Sequence, residues 1–378
     1  MDSLDQENVE LFATLSKTEP WRLQRHYFPS KLGGFPSWLD PVHLPSESEL
    51  KCDECLSILT FVLQVYAPDE LCEDDMAFHR TVFLFVCQPC GNRWKAFRSQ
   101  LPRKNDYYDF HPLEDNITVA DSEIVKRCCL ACGLPSEKVA KEPVQELTSM
   151  KIQLMDDAEH RELHERCKIA VIHKTLKATL EEWNLNICEG EIPVTGDYLS
   201  HEKLLYKKYL MEKKSNGDIM DESEEQAFES IQEENMVMDK SFKKFCKKTT
   251  PYEVLYYSRE GEPLWLSDKT KRPVIAGIEK TMEPKSEDSS ADESDTGHIV
   301  DELEQTIIPM CENCGSVRSF EFQVLPQILH YLNSDRIDFG SISVYTCSKS
   351  CKIENKYQKE VVFMEKDYSL IPKKTIIN

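Results

Sequence analysis

Two cysteine quartets with matching spacing and matching surroundings constrain this chain more than any other feature. The first is Cys52-x2-Cys55 with Cys87-x2-Cys90, and the second is Cys311-x2-Cys314 with Cys347-x3-Cys351. The inner gaps are 31 and 32 residues. Phe61 and Phe320 each follow the second cysteine by six positions, and Gln64-Val65 and Gln323-Val324 by nine and ten. A Pro-x-Trp-Leu segment precedes each quartet: Pro36, Trp38 and Leu39, then Pro263, Trp265 and Leu266. A repeat at this range implies one folding unit used twice.

Cysteines at both ends of a hairpin can converge on one tetrahedral ion. Zinc suits four thiolates because it bonds well to soft sulfur and has no ligand-field preference. A closed four-ligand site leaves no position for water, so its metal is structural rather than catalytic. Zinc at Cys52, Cys55, Cys87 and Cys90, and at Cys311, Cys314, Cys347 and Cys351, is therefore expected. The other reading is a set of buried free thiols packed as small hydrophobes.

The remaining residues bound the class. No stretch reaches 18 apolar residues, and the first ten are acidic and polar. Neither a membrane span nor a signal peptide is expected. Fifteen cysteines without an export signal argue for thiols and metal rather than disulfides. A net charge of −21 disfavours direct DNA binding and suits a basic partner.

The pattern predicts a mainly β fold with α-helical insertions, two duplicated zinc-knuckle β modules being packed together. Residues 11–110 form the first module, opening with a short helix over 11–26. Strands are expected over 56–66, 78–86 and 93–97, with a polar exit loop over 100–106. Residues 125–210 form a helical middle region, with a helical pattern over 144–183. Residues 211–250 are a charged linker, and 251–370 form the second module. Its expected strands are 252–257, 320–325, 342–345 and 361–364, with a short helix over 328–332. Residues 221–234 hold seven acidic side chains and no basic one, and 283–304 is a second acidic run read as a disordered insertion.

The middle region has a Cys/His cluster of its own. Cys129-x2-Cys132 can pair with His164-x2-Cys167, whose spacing places both donors on one helix face. Cys128 can replace Cys129, and His160 can replace His164. Cys167 also continues the apolar face of that helix and can be core. Gln64 and Gln323, recurring at equivalent sites, are candidates for ligand contact or for satisfying a neighbouring backbone group. Trp38 and Trp265 are likewise candidates for binding or core packing. No nucleophile with a His or acid at motif spacing and no phosphate-binding glycine loop is present, so no enzyme is expected.

Longer motifs carry a resemblance. They include Pro29-Ser30-Lys31-Leu32-Gly33-Gly34, Gln64-Val65-Tyr66-Ala67-Pro68, Phe78-His79-Arg80 and Gln100-Leu101-Pro102-Arg103-Lys104-Asn105-Asp106. In the C-terminal part they include Tyr257-Ser258-Arg259, Gly261-Glu262-Pro263-Leu264-Trp265, Phe320-Glu321-Phe322-Gln323-Val324 and Val344-Tyr345-Thr346-Cys347. With these the chain resembles the programmed cell death protein 2 family. The resemblance implies a non-catalytic, chaperone-like protein of cytoplasm and nucleus that binds small-subunit ribosomal protein S2 (uS5). It would thereby support pre-40S particles indirectly. A nuclear adaptor in transcription or chromatin regulation is the alternative. The family's MYND-type finger would need about eight ligands for two zinc ions. Cys128, Cys129, Cys132 and Cys167 with His160 and His164 are too few, so a degenerate MYND-like cluster is expected here. The finger-lacking programmed cell death protein 2-like branch is an alternative placement.

Overall fold

A computed structural model describes residues 9–69, 72, 75–119, 121, 124, 127–129, 131–136, 164, 167, 179–189, 240–278, 305–332, 334, 336–353 and 357–366. The fold is mostly β. Ten strands close into one barrel: β1 (Leu11–Ser16), β2 (Lys31–Leu32), β3 (Thr60–Tyr66), β4 (His79–Val86), β5 (Trp94–Leu101), β6 (Trp183–Glu189), β7 (Glu253–Tyr257), β10 (Arg318–Val324), β11 (Ser341–Cys347) and β12 (Gln358–Glu365). The short strands β8 (Val274–Ile275) and β9 (Ile307–Ile308) pair in parallel outside it. The described residues also form two short α-helices, α1 (Lys240–Lys248) and α2 (Leu329–Leu332).

The order around the barrel is β1-β6-β2-β3-β4-β5-β12-β11-β10-β7, and β7 pairs with β1 to close it. Two three-stranded antiparallel meanders, β3-β4-β5 and β10-β11-β12, thus meet edge to edge through β5 and β12. Closure leaves neither outer strand of a meander as a bare edge. Each meander carries a register shift at the same place, after Phe61 in β3 and after Phe320 in β10.

Strand β4 is buried along its whole length, as is β11. The reason is that both faces are covered, which is also why these segments read as nearly continuous apolar runs. Val82, Leu84 and Val86 point to the barrel interior with Ala96, Ile342 and Val344. Their alternates Phe83 and Phe85 pack outward under Trp38, Leu59 and Tyr357. The corresponding outer layer over the second meander is built from Phe320, Tyr345 and Phe363, with Phe12, Phe245 and Leu264. Arg80 and Arg98 share the inward register of Val82 and Ala96, so one end of the interior is ionic rather than apolar.

Several expectations are corrected. Residues 11–16 are strand β1, not helix; 3-10 turns follow at Pro20–Leu23 and Arg25–Tyr27. Strand β5 runs on to Leu101, so Gln100 and Leu101 belong to the sheet rather than an exit loop. The segment 183–189, placed in the helical middle region, is strand β6 and completes the barrel between β1 and β2. By contrast, the end of the charged linker, in a stretch whose composition suits a helix, is helix α1, anchored by buried Phe245 and bonded at its start to Asp268. Most of the helical pattern over 144–183, and the acidic runs 221–234 and 283–304, lie outside the described residues. Among the described residues no helix is long and apolar enough to cross a membrane.

Candidate metal centres

The local chain geometry prepares the sites. At Cys52-x2-Cys55 the Leu56 N–H donates to the Cys52 carbonyl (3.1 Å), and the Cys52 N–H donates to the Ser57 carbonyl (2.9 Å). At Cys311-x2-Cys314 the same two bonds run from Gly315 to Cys311 and from Cys311 to Ser316, both 2.8 Å. Cys87-x2-Cys90 and Cys129-x2-Cys132 also return an N–H to their first cysteine, from Gly91 and Gly133, each 2.8 Å. The residue after the second cysteine is left-handed in all four: Leu56, Gly91, Gly133 and Gly315 have φ of 58°, 76°, 71° and 70°. This turn aims both thiols of a pair to the same side.

Among the described residues three four-donor clusters result: Cys52, Cys55, Cys87 and Cys90; Cys311, Cys314, Cys347 and Cys351; and Cys129, Cys132, His164 and Cys167. Within each, the ligand atoms lie within 4.8 Å of one another. In the first, Cys52 and Cys90 Sγ are 3.9 Å apart and Cys55 and Cys87 Sγ 3.3 Å; in the second, the corresponding pairs are 3.7 and 3.5 Å. Sulfurs at the corners of a tetrahedron with metal–sulfur bonds of about 2.3 Å are separated by about 3.8 Å. A disulfide would need about 2.0 Å. The donor sets therefore fit a tetrahedral metal ion.

Electrostatics points the same way. Hydrogen bonds from the Ser57 hydroxyl and backbone bring the Cys55 thiol down to about 6. Burial works against ionisation of Cys314, but Ser316, two residues on, supplies the equivalent bonds and lowers it to about 6. Burial and neighbouring thiols push Cys87 and Cys347 upward, Cys347 to about 12. Like charges this close cannot all ionise unless a cation sits among them.

In the middle cluster the structure brings Cys129, Cys132, His164 and Cys167 together. Cys132 Sγ lies 3.3 Å from His164 Nδ1, while His164 Nε2 is 3.0 Å from the Pro135 carbonyl. A carbonyl only accepts, so Nε2 carries a proton there, and Nδ1 is the nitrogen turned to the thiols that would serve as the ligand. Cys167 stands with these candidate donors, its N–H on the His164 carbonyl (2.8 Å), and is also packed in the core. Cys128 is buried beside the cluster and is not a member; His160 lies outside the described residues. Among the described residues of this region one four-donor set stands, where a two-ion finger would need eight ligands. The glycine after Cys132 was the sequence signal for this knuckle.

The client-contact candidates sit differently. Trp38 is fully buried; its Nε1 donates to the Gly133 carbonyl (2.9 Å), tying the third centre to the barrel. Gln64 and Gln323 are also buried. Gln64 Oε1 accepts from Ser37 N (2.8 Å) and its Nε2 donates to the Pro29 carbonyl (2.9 Å). Gln323 Oε1 accepts from Leu264 N (2.9 Å), and its Nε2 donates to the Leu264 carbonyl (2.9 Å) and Ser341 Oγ (2.7 Å). Ser37 and Leu264 are the variable positions of the two Pro-x-Trp-Leu segments. Each glutamine fastens that segment to its meander, which explains why the two motifs recur together. Trp38, Gln64 and Gln323 are thus buried, in line with core packing for the tryptophan and with satisfying backbone groups for the glutamines. Trp265 remains half-buried, against Phe363 and Arg272.

Residues 9–115 match the N-terminal domain of Programmed cell death protein 2, and residues 239–369 match its C-terminal domain. Bovine Programmed cell death protein 2 is 32% identical, covering 91% of this chain and 93% of its own. Human Programmed cell death protein 2-like is 26% identical over 85% of each. Probable 20S rRNA accumulation protein 4 of Schizosaccharomyces pombe is 23% identical over 85% of this chain and 87% of its own. No solved structure matches. The chain belongs to the programmed cell death protein 2 family, whose members are non-catalytic proteins.

Proposed function

We propose that this protein is a zinc-stabilised binding protein that shields small-subunit ribosomal protein S2 (uS5) and so supports 40S subunit biogenesis in cytoplasm and nucleus. The observation that carries the ribosomal reading is the similarity, along most of the chain, to a fission-yeast protein named for 20S rRNA accumulation. A net charge of −21 suits a client that is basic until RNA neutralises it. Zinc is the metal of choice for closed sets of four cysteines, or of three cysteines and a histidine. We read the barrel as one zinc-knuckle module used twice, β2-β3-β4-β5 corresponding to β7-β10-β11-β12. The mirrored strand order, the shared register shift and the paired glutamine bonds support this.

Affinity purification of the tagged full-length protein, with and without RNase, tests the function. Ribosomal protein S2 is expected as the dominant, RNase-resistant partner. Chromatin or transcription subunits in its absence would instead support a nuclear adaptor.

A further inference from the structure

The two quartets are not held alike. In the first, outside support comes from its own meander: Lys95 Nζ in β5 donates to the Lys51 carbonyl (2.6 Å), the Glu49 carbonyl (3.2 Å) and Asp53 Oδ1 (2.7 Å). In the second, the loop Cys347-x3-Cys351 has one residue more than the other knuckles, and Ser350 is forced to φ 41°. That loop makes a single return bond, from Ser350 N to the Cys347 carbonyl (3.1 Å). Its other carbonyls are taken by side chains from elsewhere. Gln100 Nε2 donates to the Ser350 and Cys351 carbonyls (2.9 and 3.2 Å), and Arg259 Nη2 to the Ser348 carbonyl (3.1 Å). Arg98 donates from Nη1 to the Cys351 carbonyl (3.3 Å) and from Nη2 to Cys351 Sγ (3.7 Å).

Arg98 and Gln100 belong to β5, on the other meander. Arg98 Nε donates to Glu360 Oε1 (2.7 Å) in β12, and Glu360 Oε2 accepts from Arg318 Nε (2.9 Å) in β10. Arg318 then donates through Nη1 to the Pro309 and Met310 carbonyls (3.0 and 2.6 Å), the residues that lead into Cys311. All three charges are at most 1% exposed. An Arg–Glu–Arg chain thus reaches from one knuckle of the second quartet to the other through the β5–β12 seam.

We infer that the second quartet is a composite centre: Arg98 and Gln100 of the first meander are positioning residues for its metal, which is held firmly only when the β5–β12 seam is closed. A guanidinium hydrogen-bonded to a ligating thiolate offsets part of the charge that four thiolates place on the ion, and it fixes the thiolate's direction. The inference rests on the metal reading of that cluster.

The full-length protein loaded with cadmium in place of zinc tests it by cadmium NMR. Three resonances, one for each donor cluster, are expected; their absence defeats the metal reading and the clamp with it. Asn313→Ala marks the resonance of the second quartet, because exposed Asn313 Nδ2 donates to Cys351 Sγ (3.2 Å). Arg98→Lys and Gln100→Met should move that same resonance and leave the other two in place. Both should also speed metal loss from that centre to a competing chelator by ~10-fold. If the marked resonance and the release rate stay at wild type, or all three centres change alike, the clamp is overturned. Gln100→Met removes no buried charge, and it decides the matter if Arg98→Lys does not fold.

Discussion

At the residue scale, polar side chains inside this protein are explained by what they fasten. Gln323 serves the N–H and the carbonyl of Leu264 together. Gln323→Leu keeps the volume but leaves both groups without their partner. It should cost about 2–4 kcal/mol in denaturant unfolding and leave client affinity in the folded protein unchanged; a change in affinity at constant stability would contradict this. His79 is a second case. Its ring stacks on Phe28 at 4.2 Å, and its Nδ1 is 3.0 Å from the Tyr66 hydroxyl. Burial, with the Arg103 guanidinium adding to it, brings the imidazole down to about 4 from 6.5. The folded state disfavours the proton, so stability from this group is intact above pH 6.5 and drains as pH falls toward 4. An NMR titration should place the His79 midpoint near 4; a midpoint near 6.5 would show an imidazole open to water.

At the scale of elements, the knuckles set the sharpest test. Gly91 and Gly315 occupy the same left-handed turn, with φ 76° and 70°. An added Cβ at Gly315 meets nothing within 4 Å, whereas at Gly91 it would lie 2.0 Å from the Arg336 carbonyl oxygen. Gly315→Ala should therefore cost only the backbone term, about 1–2 kcal/mol. Gly91→Ala should cost clearly more and lower metal retention at the first quartet; equal thermal shifts would contradict the close approach. The knuckles and the meander strands were legible because their signals are local: cysteine spacing, and apolar runs of strand length. β1 was not, because Leu11, Phe12 and Leu15 fall at helical spacing, and the strand is fixed by partners at 184–189 and 253–257. β6 was missed for the same reason, its pairing being set by residues far away in sequence. The third centre was half legible: Cys129, Cys132, His164 and Cys167 were named, but only the fold chose them over Cys128.

At the scale of the whole molecule, one barrel is closed by seams between distant parts of the chain and stapled by three donor clusters around its outer layers. The buried ionic end crosses these seams: Arg80 in β4 grips Glu321 in β10 with two hydrogen bonds, one of 2.6 Å, and holds its carboxyl down near 2 against the effect of burial. Such pairs specify an arrangement more than they stabilise it. In the proposed function the acidic runs 221–234 and 283–304 serve recognition. Neutralising both should slow association with ribosomal protein S2 and flatten its salt dependence, while unfolding temperature and metal content stay the same; an unchanged rate at low salt would assign recognition to other residues. Metal at all three clusters is expected to hold this fold. Native mass spectrometry of the full-length protein, compared with its acid-denatured mass, measures this directly. Three zinc ions per folded chain are predicted, lost together with the fold on chelation. A folded, metal-free chain, or one holding fewer than three ions with every donor intact, would contradict it.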